Sequence, residues 1–131
     1  MLELNSPEMV QAMNALENED HALAFRLFNL LAEAGNAKAQ CNLATLYHFG
    51  LGVEADGKKA VELYRGVAEQ EILEEHLSGI AYNNLATIYI CGFPGIEPDP
   101  QRARDYRDRA KALGFEMLTG SYSYSFFTSS L

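Results

Sequence analysis

The feature that most constrains this chain is an internal repeat. Residues 42–47, Asn-Leu-Ala-Thr-Leu-Tyr, recur at 84–89 as Asn-Leu-Ala-Thr-Ile-Tyr, an offset of 42 residues with one difference in six. The similarity continues into the next turn, where Gly50 corresponds to Gly92 and, after one extra residue, Gly52 corresponds to Gly95. Because a unit of this length cannot bury its own apolar face, the sequence predicts a stack of repeated units.

A third, partial copy lies upstream and defines the basic period. Residues 20–32 align with residues 56–68 at an offset of 36, through an aspartate followed by small and apolar positions. The longer spacing of the later copies comes from about six extra residues between Glu71 and Ser78. We therefore expect a local elaboration of the repeat in this segment, called the insertion below.

Helix-start signals divide the chain into six predicted helices. Ser6-Pro7 and Asp99-Pro100 each offer a capping side chain followed by proline at the first helical position. Asp20 and Asp56 are further candidate caps, and Gly35-Asn36 is typical of one helix ending and another beginning. Apolar residues recur three or four positions apart, as one buried helical stripe requires. The predicted helices span 7–18, 20–34, 37–49, 56–76, 79–91 and 99–113.

Residues 37–53, Ala-Lys-Ala-Gln-Cys-Asn-Leu-Ala-Thr-Leu-Tyr-His-Phe-Gly-Leu-Gly-Val, carry a family resemblance that continues through residues 54–70. With Asp56, Lys59-Ala60 and Leu63-Tyr64 following in order, the segment resembles the Sel-one-like repeat, a relative of the tetratricopeptide repeat. The resemblance implies an all-α fold, a short right-handed α-solenoid of about two and a half two-helix repeats. It also implies a concave groove lined by the first helix of each pair.

The sequence departs from the family pattern at several positions. Alanine replaces the family's small glycine at Ala44 and Ala86, and its usual tryptophan is Leu63 and Tyr106 here. Size and polarity are roughly kept, so the fold expectation stands.

The predicted organisation is one helical repeat domain over residues 1–114, followed by a different tail over 115–131. Within the domain we assign a partial repeat to 20–35 and fuller repeats to 37–71 and 79–114. In the tail, Tyr122, Tyr124 and Phe126 alternate with serines at the strand period. Three interpretations stay open: a disordered segment, a cap over the last helix pair, or a short linear motif.

The overall charge indicates which classes of binding partner are favoured. A formal net charge of -8 repels phosphate backbones and anionic lipid, so we expect no nucleic acid and no membrane among the partners. A protein with a basic surface is the favoured partner. The chain begins with no basic, apolar leader and contains no long apolar run, which predicts a soluble, cytoplasmic protein. Cys41 and Cys91 fall about a helix length apart in the repeat register, which predicts no disulfide.

Candidate chemistry is sparse, and the sequence predicts a non-enzyme with no cofactor and no metal. His21, His48 and His76 lack metal-ligand spacing and are interpreted as solvated side chains. Gly50 and Gly52 suit a turn that needs positive φ; no strand precedes them, so phosphate binding is not favoured.

Charged clusters mark the last helix and the insertion. The last helix carries Arg102, Arg104, Arg107, Arg109 and Lys111. Pairing of Arg104 with Asp108 and of Asp105 with Arg109 would make this face solvated and self-neutralising. The insertion region carries Glu69, Glu71, Glu74 and Glu75, either as a contact for a basic partner or as a solubilising face.

The predicted binding surface is the exposed side of the first helices. In the strong repeat this side is Lys38, Cys41, Thr45 and His48, and in the second copy it is Ile80, Asn83, Thr87 and Ile90. Such mixed, mostly uncharged side chains suit a peptide or helix better than phosphate. The alternative is binding at an edge or through the tail.

The favoured function is a protein-interaction module, an adaptor or regulatory scaffold. An immunity or inhibitor protein that neutralises a toxin or enzyme is the alternative, and a small-molecule hydrolase is less favoured. Apolar ends near Met9 and Met117 would need covering, so homodimerisation through one end of the solenoid is a further option.

Overall fold

The structure, a computed structural model, describes residues 6–116. Within this range the chain forms α1 (Pro7–Glu17), α2 (His21–Glu33), α3 (Ala37–Phe49), α4 (Gly57–Ala68), a 3-10 turn (Glu74–His76), α5 (Leu77–Cys91) and α6 (Pro100–Ala112). An isolated antiparallel bridge joins Phe93 to Ile96 in the loop before α6. The predicted all-α fold is confirmed. Of the predicted tail over 115–131, Phe115 packs against the core of the repeat domain, and residues 117–131 lie outside the described range.

The helices pack in chain order, so that three helix pairs stack into a short solenoid. Each helix from α1 to α5 contacts the helix that follows it, and α3 also touches α5. The first helices are α1, α3 and α5, and the second helices are α2, α4 and α6. The predicted partial repeat over residues 20–35 contains only α2. In the structure α1 packs against α2 and completes this pair.

Short-range capping explains where most helices begin. Five side chains accept a hydrogen bond from the backbone N–H three residues later, at distances of 2.9 to 3.2 Å: Ser6, Asp20, Asn36, Asp56 and Asp99. Each bond satisfies a donor that a helix start leaves without an intrahelical partner. At the far end of α3, Gly50 adopts φ 66° and Gly52 adopts φ 75°, as predicted for this turn.

The core consists of two apolar clusters that meet at α3. One is built around Met9, Phe28 and Leu46, and the other around Tyr64 and Leu85. Small residues let the helices approach closely where they cross, and Ala44, Ala60, Ala86 and Ala103 are at most 1% exposed. Met9 itself is 1% exposed and belongs to the first of these clusters, and pairing of two chains through a solenoid end stays a prediction.

The prediction of one helix over 56–76 is wrong, because α4 ends at Ala68. The hydroxyl of Ser78 donates to the Val67 carbonyl at 2.9 Å and accepts from the Ile72 N–H at 2.6 Å. The Ser78 N–H also donates to the Ile72 carbonyl at 3.0 Å. A side chain at the start of α5 therefore takes up a carbonyl at the end of α4, and the insertion folds as a tight, non-helical connection.

Candidate partner-binding surfaces

Three of the four groove residues predicted on α3 are buried. Lys38, Cys41 and Thr45 are each at most 1% exposed, so the expected exposure of this side is wrong. The physical reason is that α3 is the middle first helix and packs against α2, α4 and α5. The Thr45 hydroxyl lies 2.7 Å from the hydroxyl of Tyr64, a fully buried residue of α4.

Lys38 is covered by the insertion. Its ammonium Nζ lies 3.4 Å from Oε2 of Glu75, with the lysine side chain 1% exposed and the glutamate 28% exposed. Glu75 and the following His76 adopt φ 53° and 56°, in the left-handed region that side chains other than glycine rarely occupy. The extra residues thus return over the start of α3 and close that end of the predicted groove.

On α5 the predicted side is more open. Asn83 is buried, whereas Ile80 and Thr87 are partly exposed and Ile90 is 39% exposed. On α3, His48 is partly exposed and its neighbour Phe49 is 37% exposed. Sequence reasoning missed Phe49, although an apolar side chain next to a helix-ending glycine is a usable signal. We call His48, Phe49, Thr87 and Ile90 the first-helix strip.

The interpretation of His48 as a solvated side chain is wrong. Its ring stacks on Phe49 with a centroid distance of 4.1 Å and lies 6.2 Å from the rings of Tyr64 and Phe93. Burial among these rings lowers the pKa of His48 to about 4, because the charged imidazolium loses its hydration. The strip is therefore neutral at physiological pH.

We expect His48 to make the protein less stable in mild acid. Above pH 6.5 both states hold the imidazole neutral, but between pH 6.5 and about 4 the unfolded chain binds the extra proton. The free energy of unfolding therefore falls as the pH drops through this window. Chemical denaturation at about pH 7.5 and about pH 5 should show a smaller difference in the His48→Gln variant than in the parent. An equal difference in both proteins would contradict the assignment.

The cysteines give no reactive centre on α3. Both are free thiols, as predicted, with Cys41 buried and Cys91 exposed. Burial raises the pKa of the Cys41 thiol to about 12, so the thiolate needed for nucleophilic attack is scarce at neutral pH.

A groove runs between the second helices α4 and α6. A cavity of about 310 Å³ in it is lined by Arg65, Glu69, Arg102, Asp105, Tyr106 and Arg109. Two neighbouring cavities of about 440 and 360 Å³ share Lys58 and Val61 and extend it along α4. We call this the second-helix groove.

Tyrosine rings and arginines build the second-helix groove. Tyr106 lies 5.9 Å, centroid to centroid, from both Tyr82 and Tyr89 of α5. The guanidinium of Arg102 lies 5.1 Å from the Tyr89 ring, and that of Arg109 lies 5.9 Å from the Tyr82 ring. Burial raises the pKa of Tyr106, while the nearby Arg65, Arg102 and Arg109 charges act in the opposite direction.

The ion pairs predicted on α6 do not form within residues 6–116. Arg104 donates to Oε1 of Gln101 at 2.8 Å, and Asp105 accepts from Nε2 of Gln101 at 2.9 Å. Gln101 therefore takes the place of both expected partners. Arg109 is free to face the tyrosine rings, and the self-neutralising interpretation of this helix is wrong at that position.

The acidic residues of the insertion separate into two groups. Glu75 turns inward to Lys38, and Glu69 lies 3.6 Å from Arg65, whereas Glu71 and Glu74 are exposed. Whether the exposed pair contacts a basic partner stays a prediction.

The comparisons with known proteins agree with this architecture. Residues 16–36, 37–70 and 79–115 match the Sel1 repeat, so the chain belongs to this family of tetratricopeptide-like helical repeats. It is also similar to chitin synthase regulatory factor 3 of Schizosaccharomyces pombe, with 29% identity over 104 residues, 79% of this chain. The chain spans only 10% of that relative's length. Among the described helices, none has the length and apolar character needed to cross a membrane.

Proposed function

We propose that this chain is a non-enzymatic protein-interaction module, an adaptor or regulatory scaffold that holds a segment of a partner protein. The Sel1 repeats support an interaction role. The similarity to a protein named as a regulatory factor supports a regulatory one.

The observation that carries the proposal is the first-helix strip. His48 and Ile90 occupy equivalent repeat positions on α3 and α5, and Phe49 adds a second exposed apolar side chain beside them. Apolar surface of this kind gains free energy when a partner covers it, at about 25 cal/mol per Å². The strip is uncharged at neutral pH, so it favours an apolar protein segment over a phosphate backbone.

The remaining groups on the first helices support binding without covalent chemistry. The Cys41 thiol is buried with its pKa raised, and Thr45 is held against Tyr64 inside the core. Neither side chain can reach a bound substrate without opening the helix stack. A partner segment would therefore be recognised by shape and apolar contact.

The test uses a charge placed on the strip. We expect Ile90→Glu to weaken partner binding by about tenfold or more, because it buries a carboxylate at an apolar contact. The partner is first captured on the parent protein from native lysate, identified by mass spectrometry, purified, and then measured by calorimetry with each variant.

Leu30→Glu is the matched control. Leu30 lies on α2 and is 58% exposed, so the same change is made at an exposed apolar residue away from the strip. We expect this variant to bind like the parent, with circular dichroism confirming that both variants fold. Equal affinity of Ile90→Glu and the parent would overturn the assignment of the strip. The buried Thr45 is unsuitable for such a test, because a charge there would unfold the chain.

A further inference from the structure

We propose that the second-helix groove binds an extended segment of a partner protein and receives one carboxylate side chain between Arg102 and Arg109, above Tyr106. The inference rests on the proposed interaction role, but it concerns the opposite helices of each pair and a charged ligand group. The carboxylate belongs to a segment in which lysine or arginine residues flank it.

The arginines are held in place before any partner arrives. Nη1 of Arg102 donates to the Tyr89 hydroxyl at 3.3 Å, and its guanidinium also lies over the Tyr89 ring. The guanidinium of Arg109 lies 5.9 Å from the centre of the Tyr82 ring, so the two arginines contact the two tyrosines that flank Tyr106. Guanidinium groups ordered by aromatic rings lose little freedom when they form a forked pair with a carboxylate.

Two hydrogen-bond donors of the cavity, Arg109 and Tyr106, have no carboxylate partner in the described part of the chain. Within residues 6–116, Arg109 has no carboxylate within 4.0 Å, and the Tyr106 hydroxyl has no hydrogen-bond partner. Arg102 makes one long contact, 3.8 Å from its Nε to Asp99. An incoming carboxylate would enter a cavity lined by both guanidinium groups and the Tyr106 ring, where it can accept charge-assisted hydrogen bonds.

Gly66 leaves room for a partner backbone to approach α4 closely. It lies inside the helix, where glycine is less favourable than alanine, and it lines the groove. A Cβ added there would meet nothing within 4 Å, so packing inside the chain does not require glycine. An extended partner backbone passing over α4 would require it, because any side chain would hold that backbone away.

The charge pattern selects a peptide over a nucleic acid. Glu69 and Asp105 line the same cavity as the three arginines, and the whole chain carries a net charge of -8. A run of phosphates would meet these carboxylates at close range. A single carboxylate flanked by cations places its negative group on the arginines and its positive groups beside Glu69 and Asp105.

The experiment titrates the full chain with a defined peptide and follows ¹⁵N-resolved NMR shifts, including the arginine Nε–H signals. The probe is acetylated and amidated Gly-Lys-Gly-Glu-Gly-Lys-Gly, and its counterpart carries glutamine in place of glutamate. We expect saturable shifts at Tyr106, Arg102 and Arg109 with the glutamate peptide, and about tenfold weaker binding of the glutamine peptide.

Variants on the same helix separate a site from general charge attraction. Arg102→Gln combined with Arg109→Gln should weaken binding of the glutamate peptide by about tenfold or more. Arg104→Gln combined with Arg107→Gln removes the same charge outside the cavity and should stay within about twofold of the parent. Similar losses in both double variants would reduce the proposal to nonspecific attraction and overturn it.

Gly66→Ala tests the path of the partner backbone. This variant should melt at a higher temperature than the parent and yet bind the glutamate peptide several-fold more weakly. Unchanged affinity would remove α4 from the site. Saturable shifts with inorganic phosphate but none with the peptide would overturn the proposal in favour of a small-anion site. Ile90→Glu should bind the peptide like the parent, so this test and the test of the first-helix strip can fail separately.

Discussion

Gly52→Ala should lower the free energy of unfolding by about 3 kcal/mol or more, one of the largest effects of a single methyl group in this chain. Gly52 adopts φ 75°, and an added Cβ would fall 2.2 Å from the carbonyl oxygen of His21. Both the turn and the first residue of α2 would have to move, because backbone atoms cannot rotate away as a side chain can. Urea denaturation of parent and variant at neutral pH measures the loss.

Gly35→Ala separates the cost of a positive φ from the cost of the steric clash with His21. Gly35 also has a positive φ, of 95°, but a Cβ added there meets nothing within 4 Å. We expect it to cost about 1 to 2 kcal/mol, the conformational part alone. Equal losses in the two variants would show that the contact between the turn and α2 adds no constraint.

Glu75→Gln should lower the free energy of unfolding by about 3 kcal/mol, and Lys38→Met should lower it by less, about 1 kcal/mol. The asymmetry follows from burial: the lysine side chain is 1% exposed and the glutamate is 28% exposed. Removing the carboxylate deletes a negative charge 3.4 Å from a buried ammonium near the start of α3, where the helix dipole is also unfavourable for a cation. Removing the ammonium leaves a carboxylate whose Oε2 is buried but whose side chain is 28% exposed, so that it can turn toward water. Denaturation curves of both variants and of the double variant give the coupling between the two groups.

The exposed ion pair of Arg65 and Glu69 is the control for the ion pair of Lys38 and Glu75. These side chains are 56% and 59% exposed, so Glu69→Gln should change stability by less than about 1 kcal/mol. If Glu75→Gln also has so small an effect, the insertion is not held to α3 by this ion pair. Glu75 and His76 would then have to maintain their left-handed backbone through other contacts.

The ion pair also explains why the insertion alters the binding surface. The repeat pattern alone predicts that Lys38, near the start of α3, is exposed, because it does not account for the extra residues of the insertion. With them, Glu75 covers Lys38, and the open part of the first helices moves toward their far ends at Phe49 and Ile90. The elaboration of one repeat thus changes which residues a partner can reach.

The sequence by itself determined the repeat, the helical class and most helix boundaries. These properties depend on interactions within a few residues: a capping aspartate and the N–H three positions later, an apolar stripe every three or four residues, a glycine where φ must be positive. The capping bonds of Asp20, Asp56 and Asp99 and the turn at Gly50 and Gly52 agree with that reasoning. Such local interactions can be predicted from the sequence because they join residues at a fixed spacing along the chain.

The tertiary structure alone decided which faces are open. Nothing near Thr45 in the chain reveals that Tyr64 covers it, and nothing near Val67 reveals that the Ser78 hydroxyl binds its carbonyl. Exposure in a three-pair stack depends on how many neighbours surround a helix, and α3, in the middle, is buried on most sides. The second-helix groove arises in the same way, because side chains from separate repeats converge only after α4, α5 and α6 pack together.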